Sequence, residues 1–205
     1  MFYFDIRCIN CYVLLDVLVT FGDMSTQSVE TTYVNTKMNR SCSLSDLPAG
    51  YELPAAIDSN SYGIISCGGR TENKSTETRG YKNGPRTFYC SNKCWRLTDV
   101  SSWKTFPSLN KARCMFTLNQ LNNRLVAVGG MDINTGYNTQ YQKYNTSKYR
   151  VPHDSLEYID LNTTNEWTTK LLDFGTIWDH CSVTIDDQYI MLIGGTLNDQ
   201  VIEII

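Results

Sequence analysis

The feature that most constrains the fold is a glycine doublet that ends a short apolar run at three places in the chain. The doublets are Gly68-Gly69, Gly129-Gly130 and Gly194-Gly195, and a related run, Val17 to Phe21, ends in the single Gly22. From Gly22 through Gly69 and Gly130 to Gly195 the intervals are 47, 61 and 65 residues. Recurrence at this spacing indicates a supersecondary unit that is repeated along the chain.

The same order of short strands surrounds each doublet. A strand beginning with a cysteine precedes three of the glycine sites, at Cys11, Cys114 and Cys181. A third strand follows, and then a fourth strand that carries a tryptophan, Trp103 or Trp167. A residue of the third strand, Trp95 or Ile159, precedes that tryptophan by eight residues in each case. Four short antiparallel strands per unit predict an all-β protein built from β-propeller blades. A set of ordinary hairpins in a sandwich is the alternative.

Each part of the unit has a physical role in such a fold. Glycine adopts a positive φ without strain and lets neighbouring backbones approach closely. A tryptophan on the outer strand fills the wedge between twisted sheets. The composition agrees, because 13 Tyr and 13 Gly favour strands and turns over helices.

The set formed by Arg113, Gly129-Gly130, the strand Leu156 to Asp160, and Trp167 resembles the Kelch repeat family. The resemblance implies a β-propeller and a general role in protein–protein interaction. The first unit departs from the family pattern, since Asp23 replaces the second glycine and Cys42 replaces the tryptophan.

A single domain, 1–205, is predicted, with approximate blades at 8–48, 51–109, 110–173 and 178–205. The last blade is incomplete and reaches its third strand at 200–205. Kelch propellers usually have about six blades, so we favour a fragment of a larger propeller. Alternatively, residues 2–6 supply the missing outer strand and close a four-bladed ring.

Composition and motifs argue against several functions. With 18 Lys and Arg against 21 Asp and Glu, the net charge of −3 is unsuited to binding nucleic acid. The longest uncharged apolar stretch, 8–15, is too short to span a membrane. The chain has two histidines, His153 and His180, and one isolated C-x-x-C, Cys8 to Cys11. We therefore predict no catalytic residues, no metal and no cofactor.

The eight cysteines and four glycosylation sequons favour an extracellular or secretory location, with the cytoplasm as the alternative. The candidate glycosylation sites are Asn39, Asn73, Asn145 and Asn162. Cys67 and Cys94 fall on adjacent antiparallel strands and are the predicted disulfide, with Cys90 as a competitor for the same bond. Cys11, Cys114 and Cys181 are predicted to be small core residues, and free buried thiols throughout remain the alternative.

Two 23-residue insertions, Arg70–Asn92 and Met131–His153, lie between the second and third strands of their units. Together they carry a net charge of +5 and the rest of the chain carries −8. Loops of that length are uncommon without a function. The candidate partner-binding residues are Arg79, Lys82, Arg86, Tyr137, Tyr141, Lys143, Tyr144, Lys148, Tyr149 and Arg150.

These observations predict a non-catalytic scaffold that binds a protein, or an acidic glycan, through the insertions. A glycosylated loop with no binding role, bearing Asn145, is the alternative for the second insertion. The alternatives for the whole chain are the substrate-recognition part of a cytosolic ubiquitin-ligase adaptor and a propeller enzyme such as a sugar oxidase or sialic-acid epimerase.

Overall fold

The computed structural model describes residues 11–14, 17–21, 29–33, 54–59, 62–74, 86–99, 102–133, 150–163 and 165–202, with backbone only at 11–33, 72–74, 86–88 and 98–99. All regular elements in these ranges are β-strands, and all their pairings are antiparallel. The prediction of an all-β protein is confirmed. The described residues do not show a closed ring.

The first ten strands are β1 (Cys11–Leu14), β2 (Val17–Phe21), β3 (Val29–Tyr33), β4 (Ala55–Ser59), β5 (Gly63–Cys67), β6 (Arg70–Lys74), β7 (Arg86–Cys90), β8 (Cys94–Asp99), β9 (Ser102–Phe106) and β10 (Thr117–Leu121). The last ten are β11 (Arg124–Val128), β12 (Met131–Ile133), β13 (Arg150–Pro152), β14 (Ser155–Asp160), β15 (Thr168–Leu171), β16 (Ile177–Trp178), β17 (Cys181–Ile185), β18 (Tyr189–Ile193), β19 (Thr196–Leu197) and β20 (Gln200–Val201).

Two complete four-stranded sheets repeat one topology. The second sheet has the order β4-β5-β8-β9, and the third has β10-β11-β14-β15. Their registers correspond, because the residue before each glycine doublet lies opposite the start of the third strand: Cys67 opposite Cys94, and Val128 opposite Leu156. The first sheet contains β1-β2-β3, and the last contains β17-β18.

The first strands of successive sheets lie side by side, with β10 between β4 and β17. The main core forms where the second and third sheets face each other. Its buried members are Ala55, Ile65, Cys67, Cys94, Leu109, Phe116, Leu118, Leu125, Ala127, Ile159 and Trp167. The alternation along β14, where every second residue is buried, is the pattern of a strand with one face in a core.

A hairpin follows each of the three doublets: β6 with β7, β12 with β13, and β19 with β20. The shortest, at the end of the chain, turns through Asn198 and Asp199, which both have positive φ as a type I′ turn requires. The two insertions are therefore elongated forms of a hairpin that the repeat already contains. The prediction that a third strand begins at Gln200 is wrong, because Gln200–Val201 is the return arm of this hairpin. The rest of the predicted strand, 203–205, lies outside the described residues.

Hydrogen bonds between sheets define which residues of successive repeats are equivalent. Gly69 N–H donates to Arg113 O, and Gly130 N–H donates to Ile177 O. The equivalent of Arg113 is thus Ile177, and counting onward makes Trp178 the equivalent of Cys114.

Two positions predicted to be equivalent consequently are not. Cys114 lies three residues before β10, whereas Cys181 is the first residue of β17. Phe116 corresponds to His180, since both lie against the second glycine of the doublet in their repeat.

Trp103 and Trp167 occupy equivalent places in their repeats. Trp103 lies on β9 opposite Leu97, and Trp167 directly precedes β15. Trp167 is buried and its indole Nε1 donates to Pro107 O at 2.8 Å, whereas Trp103 is half-buried. Trp95 is equivalent to Glu157 and not to Ile159. Each directly follows the residue that pairs with the end of the second strand, which is Cys94 for Trp95 and Leu156 for Glu157.

The doublet glycines are required by both conformation and space. Gly130 has φ +83°, and a Cβ there would lie 2.6 Å from Phe116 Cβ and 2.8 Å from Cys114 O. All six doublet glycines have positive φ. The doublet therefore lets one sheet run directly against the start of the next.

In the described part of the chain, no helix is long and apolar enough to cross a membrane.

Candidate functional site

The three hairpins lie at the end of the sheets where the doublets are, and they are joined into one structure. Ser91, after β7, bridges to Arg113, and Cys114 bridges to Met131 at the start of β12. β7 and β12 are in contact, and β16 pairs with β19 of the last hairpin. We call the hairpins β6–β7, β12–β13 and β19–β20, with residues 113–114 and β16, the hairpin collar.

A disulfide ties the first two hairpins of the collar. Cys90 ends β7, and its sulfur lies 2.20 Å from that of Cys114, which contacts β12. Cys90 is therefore not a competitor for Cys94. Cys114 is buried, as predicted for a small core residue, but it is disulfide-bonded and is not a free thiol. Cys67 and Cys94 form the predicted pair, with sulfur atoms 2.04 Å apart.

Cys181 is disulfide-bonded as well, to a residue outside the described side chains. The sequence predicted a small core residue here, and Cys181 is half-buried at the start of β17. The side chain of Cys11 lies outside the described part of the chain.

A small apolar cluster lies within the collar, separate from the main core. Cys90, Cys114 and Met131 are buried in it, and Ile133 and Trp178 pack against it. These residues come from the first hairpin, the segment 113–114, the second hairpin and β16. The bases of neighbouring hairpins thus have a shared core that holds them together.

The return arms of the hairpins present equivalent side chains to solvent. The residue after each return arm donates its N–H to the carbonyl oxygen of the second doublet glycine. The residues two positions before these donors are therefore equivalent, and they are Tyr89, Val151 and Gln200. Tyr89 is 45% exposed and Val151 is 53% exposed. Next to Val151, the Arg150 guanidinium lies over the Trp178 ring, 5.3 Å from its centroid. The outer side of the collar therefore combines exposed apolar groups with a cation held in place by an aromatic ring.

The collar rests on a buried ion pair. Arg113 and Glu157 are both fully buried, and Arg113 Nε donates to Glu157 Oε1 at 3.0 Å. Arg113 also donates to the carbonyl oxygens of Gly129 and Ser155, and Glu157 accepts the N–H of Asn110 at 2.6 Å. Burial lowers the pKa of Arg113, and the nearby Glu157 carboxylate opposes that change. Arg113 and Glu157 each have hydrogen-bond partners besides each other, so the ion pair has a structural role.

The two histidines are hydrogen-bonded to different residues. His153 Nε2 donates to Ala112 O at 2.9 Å, and burial lowers its pKa. His180 Nε2 lies 3.0 Å from Thr117 Oγ1, which joins the third and last sheets. Burial lowers the pKa of His180 to about 4, and its buried Nδ1 has no hydrogen-bond partner among the residues that the structure describes.

In the described ranges, no three His, Cys, Asp or Glu side chains come together as a metal site.

Of the predicted partner-binding residues, the structure places Arg150 on the collar, exposed and stacked on Trp178. Arg86 begins β7, which puts its backbone on the first hairpin. The others lie outside the described residues: Arg79, Lys82, Tyr137, Tyr141, Lys143, Tyr144, Lys148 and Tyr149. Sequence reasoning did not find Tyr89, Val151 or Trp178, because the exposure of the first two and the contact of Trp178 with Arg150 depend on how neighbouring repeats meet.

The predicted glycosylation sites fall in different settings. Asn162 is exposed in the turn after β14, and Asn73 lies within β6, opposite Thr87. Asn39 and Asn145, like Gly22, lie outside the described residues.

No family model matches the sequence, and no curated protein matches it. Among solved structures, the chain is similar to that of YjhT, with a TM-score of 0.70 and 14% sequence identity. The match covers 91% of this chain and 56% of the YjhT chain. This chain therefore spans a little over half the length of the structure it matches, and the likeness shows a shared fold alone.

Proposed function

We propose that this chain is a non-catalytic binding module, built from Kelch-type β-propeller blades, that holds a protein partner on the hairpin collar. The repeated four-stranded sheets, their equivalent registers and the doublet contacts between them support the assignment to this class.

The observation that carries the proposal is the joining of the two long hairpins. They grow from adjacent repeats, share the cluster of Cys90, Cys114 and Met131, and are linked by a disulfide. Both insertions consequently start from a fixed base on one side of the protein. Preorganisation of this kind reduces the entropy lost when a partner binds.

Charge and chemistry define the partner. The insertions carry +5 while the remainder of the chain carries −8, so the collar attracts an acidic surface. Arg150 is held over Trp178 and offers a planar guanidinium to a carboxylate. Tyr141 and Tyr144 in the second insertion supply aromatic anchors, and Lys143 raises the association rate.

The experiment replaces residues 134–149 by Asn-Asp, the pair that turns the last hairpin. Ile133 and Arg150 already face each other across the ladder, so the shortened hairpin closes without disturbing the collar. Pull-downs from the native fluid or lysate compare this variant with the intact protein. We expect one salt-sensitive partner to be lost while the melting curve is unchanged.

The matched control replaces Lys143 and Lys148 by Gln and keeps every tyrosine. It should weaken capture of the same partner, most clearly at low salt, without abolishing it. Identical partner lists for the intact and shortened proteins would show that the second insertion is not a recognition element.

We also propose that the protein works outside the cell or in the secretory pathway, because the two cysteine pairs at disulfide distance suit an oxidising compartment. Peptide mapping without reduction, after expression through the secretory pathway, should recover Cys67 linked to Cys94 and Cys90 linked to Cys114. Free thiols at all four positions would favour the cytosolic adaptor instead.

A further inference from the structure

We infer that Asn162 is an N-glycosylation site, and that its glycan covers the end of the third sheet opposite the hairpin collar. The inference rests on the secretory location proposed above and does not depend on the partner.

The first two residues of the sequon, Asn162 and Thr163, lie where an oligosaccharide can be carried without loss of core or ladder, and Thr164 lies outside the described residues. Asn162 and Thr163 are exposed in the turn between β14 and β15. The backbone N–H of Asn162 donates to Asp160 Oδ1 at 3.0 Å, a bond that does not engage the side-chain amide to which a glycan is attached. A bulky, hydrated group attached at such a turn remains in solvent.

The comparison with Asn73 shows why the structure favours this sequon. Asn73 lies inside β6, in the five-residue ladder with β7, where its neighbours pair with Phe88 and Arg86. A glycan there would stand on the arm of the first hairpin and occupy the surface that we propose for the partner. Asn162 has no such conflict.

The position of Asn162 relative to the collar follows from strand direction. β14 begins at Ser155, whose carbonyl accepts the N–H of Gly129 at the collar, and ends at Asp160 beside Arg124. Leu161 N–H then donates to Asn123 O in the β10–β11 turn. Six residues of strand separate the two ends by about 20 Å. The glycan therefore leaves the collar open and shields the opposite turns.

The modification is a transfer from a lipid-linked diphosphate oligosaccharide. The bond between the anomeric carbon and the diphosphate oxygen breaks, a C–N bond forms to Asn162 Nδ2, the amide loses one proton, and the lipid diphosphate leaves.

The test expresses the whole chain behind a leader peptide in a eukaryotic secretory host, so that exposure to the transferase is ensured. Treatment with an amide-cleaving glycosidase converts an occupied Asn162 to Asp, which peptide mass mapping detects. We expect this conversion in the unaltered protein. It should disappear in both Asn162→Gln and Thr164→Val, the second of which keeps the acceptor amide.

The matched control is Asn123→Gln, in the adjacent turn and outside any sequon, which should keep full occupancy at Asn162. Secreted protein with Asn162 unmodified would overturn the inference, whether or not the other sequons are occupied. Because the readout is the mass of one peptide, a failed pull-down with the shortened hairpin would leave this result unaffected.

Discussion

Acidification from pH 7 to pH 5 should weaken the packing of the last sheet on the third through one side chain, His180. Its exposed fraction is 4%, and its folded-state pKa is about 4 because burial disfavours the imidazolium. In the unfolded chain the imidazole titrates near 6.5. The unfolded state therefore takes up the proton first as the pH falls, so stability is present above about pH 6.5 and declines toward pH 4.

The magnitude follows from the separation of the two pKa values. Each pH unit inside this window removes about 1.4 kcal/mol, and pH 5 lies about one and a half units below the unfolded pKa. The free energy of unfolding should thus drop by about 2 kcal/mol between pH 7 and pH 5 on account of His180 alone. That is a sizeable share of the stability of an ordinary domain.

The perturbation is His180→Phe, which installs the residue found at the equivalent position, Phe116. Urea denaturation at pH 7, 6 and 5 compares it with the unaltered protein; His153 is present in both, so its own titration cancels. Thr117→Val is the control, because it removes the partner of His180 Nε2 and should lower stability by about 1 kcal/mol at every pH. The reasoning would be refuted if the free energy of unfolding fell equally between pH 7 and pH 5 in the unaltered protein and in His180→Phe.

Three further outcomes can be checked by standard measurements. Gly130→Val should lower the free energy of unfolding by at least about 2 kcal/mol, since a β-branched residue would need φ +83° and would contact Phe116; an unchanged melting temperature would contradict the doublet geometry. Arg113→Met should cost about 3–5 kcal/mol in chemical denaturation because it leaves Glu157 buried without its cation, and Arg113→Met combined with Glu157→Gln should recover part of that loss. Trp167→Ala should cost about 3–5 kcal/mol, and iodide that freely quenches Trp167 in the folded protein would show that the ring is not buried.

Local pattern alone was enough to predict the antiparallel all-β architecture. Alternating apolar residues and glycine doublets specify strands and their ends, because both signals act over a few residues. The pairing of Cys67 with Cys94 follows from the same information. The two residues lie at the end of one strand and the start of its antiparallel neighbour, so the order of strands brings them opposite each other.

Tertiary structure decided everything that depends on how one repeat contacts the next. Cys90 and Cys114 belong to different repeats, and only the approach of β7 to the segment before β10 brings them together. For the same reason, only the hydrogen bonds from the doublets show that Ile177 is the residue equivalent to Arg113. The sequence by itself determined the antiparallel all-β class and the strands that end at the glycine doublets, but it did not reveal the hairpins β6–β7 and β12–β13 inside the two insertions. The hairpin collar, with its shared cluster and exposed row, arises from contacts between repeats that no local pattern encodes.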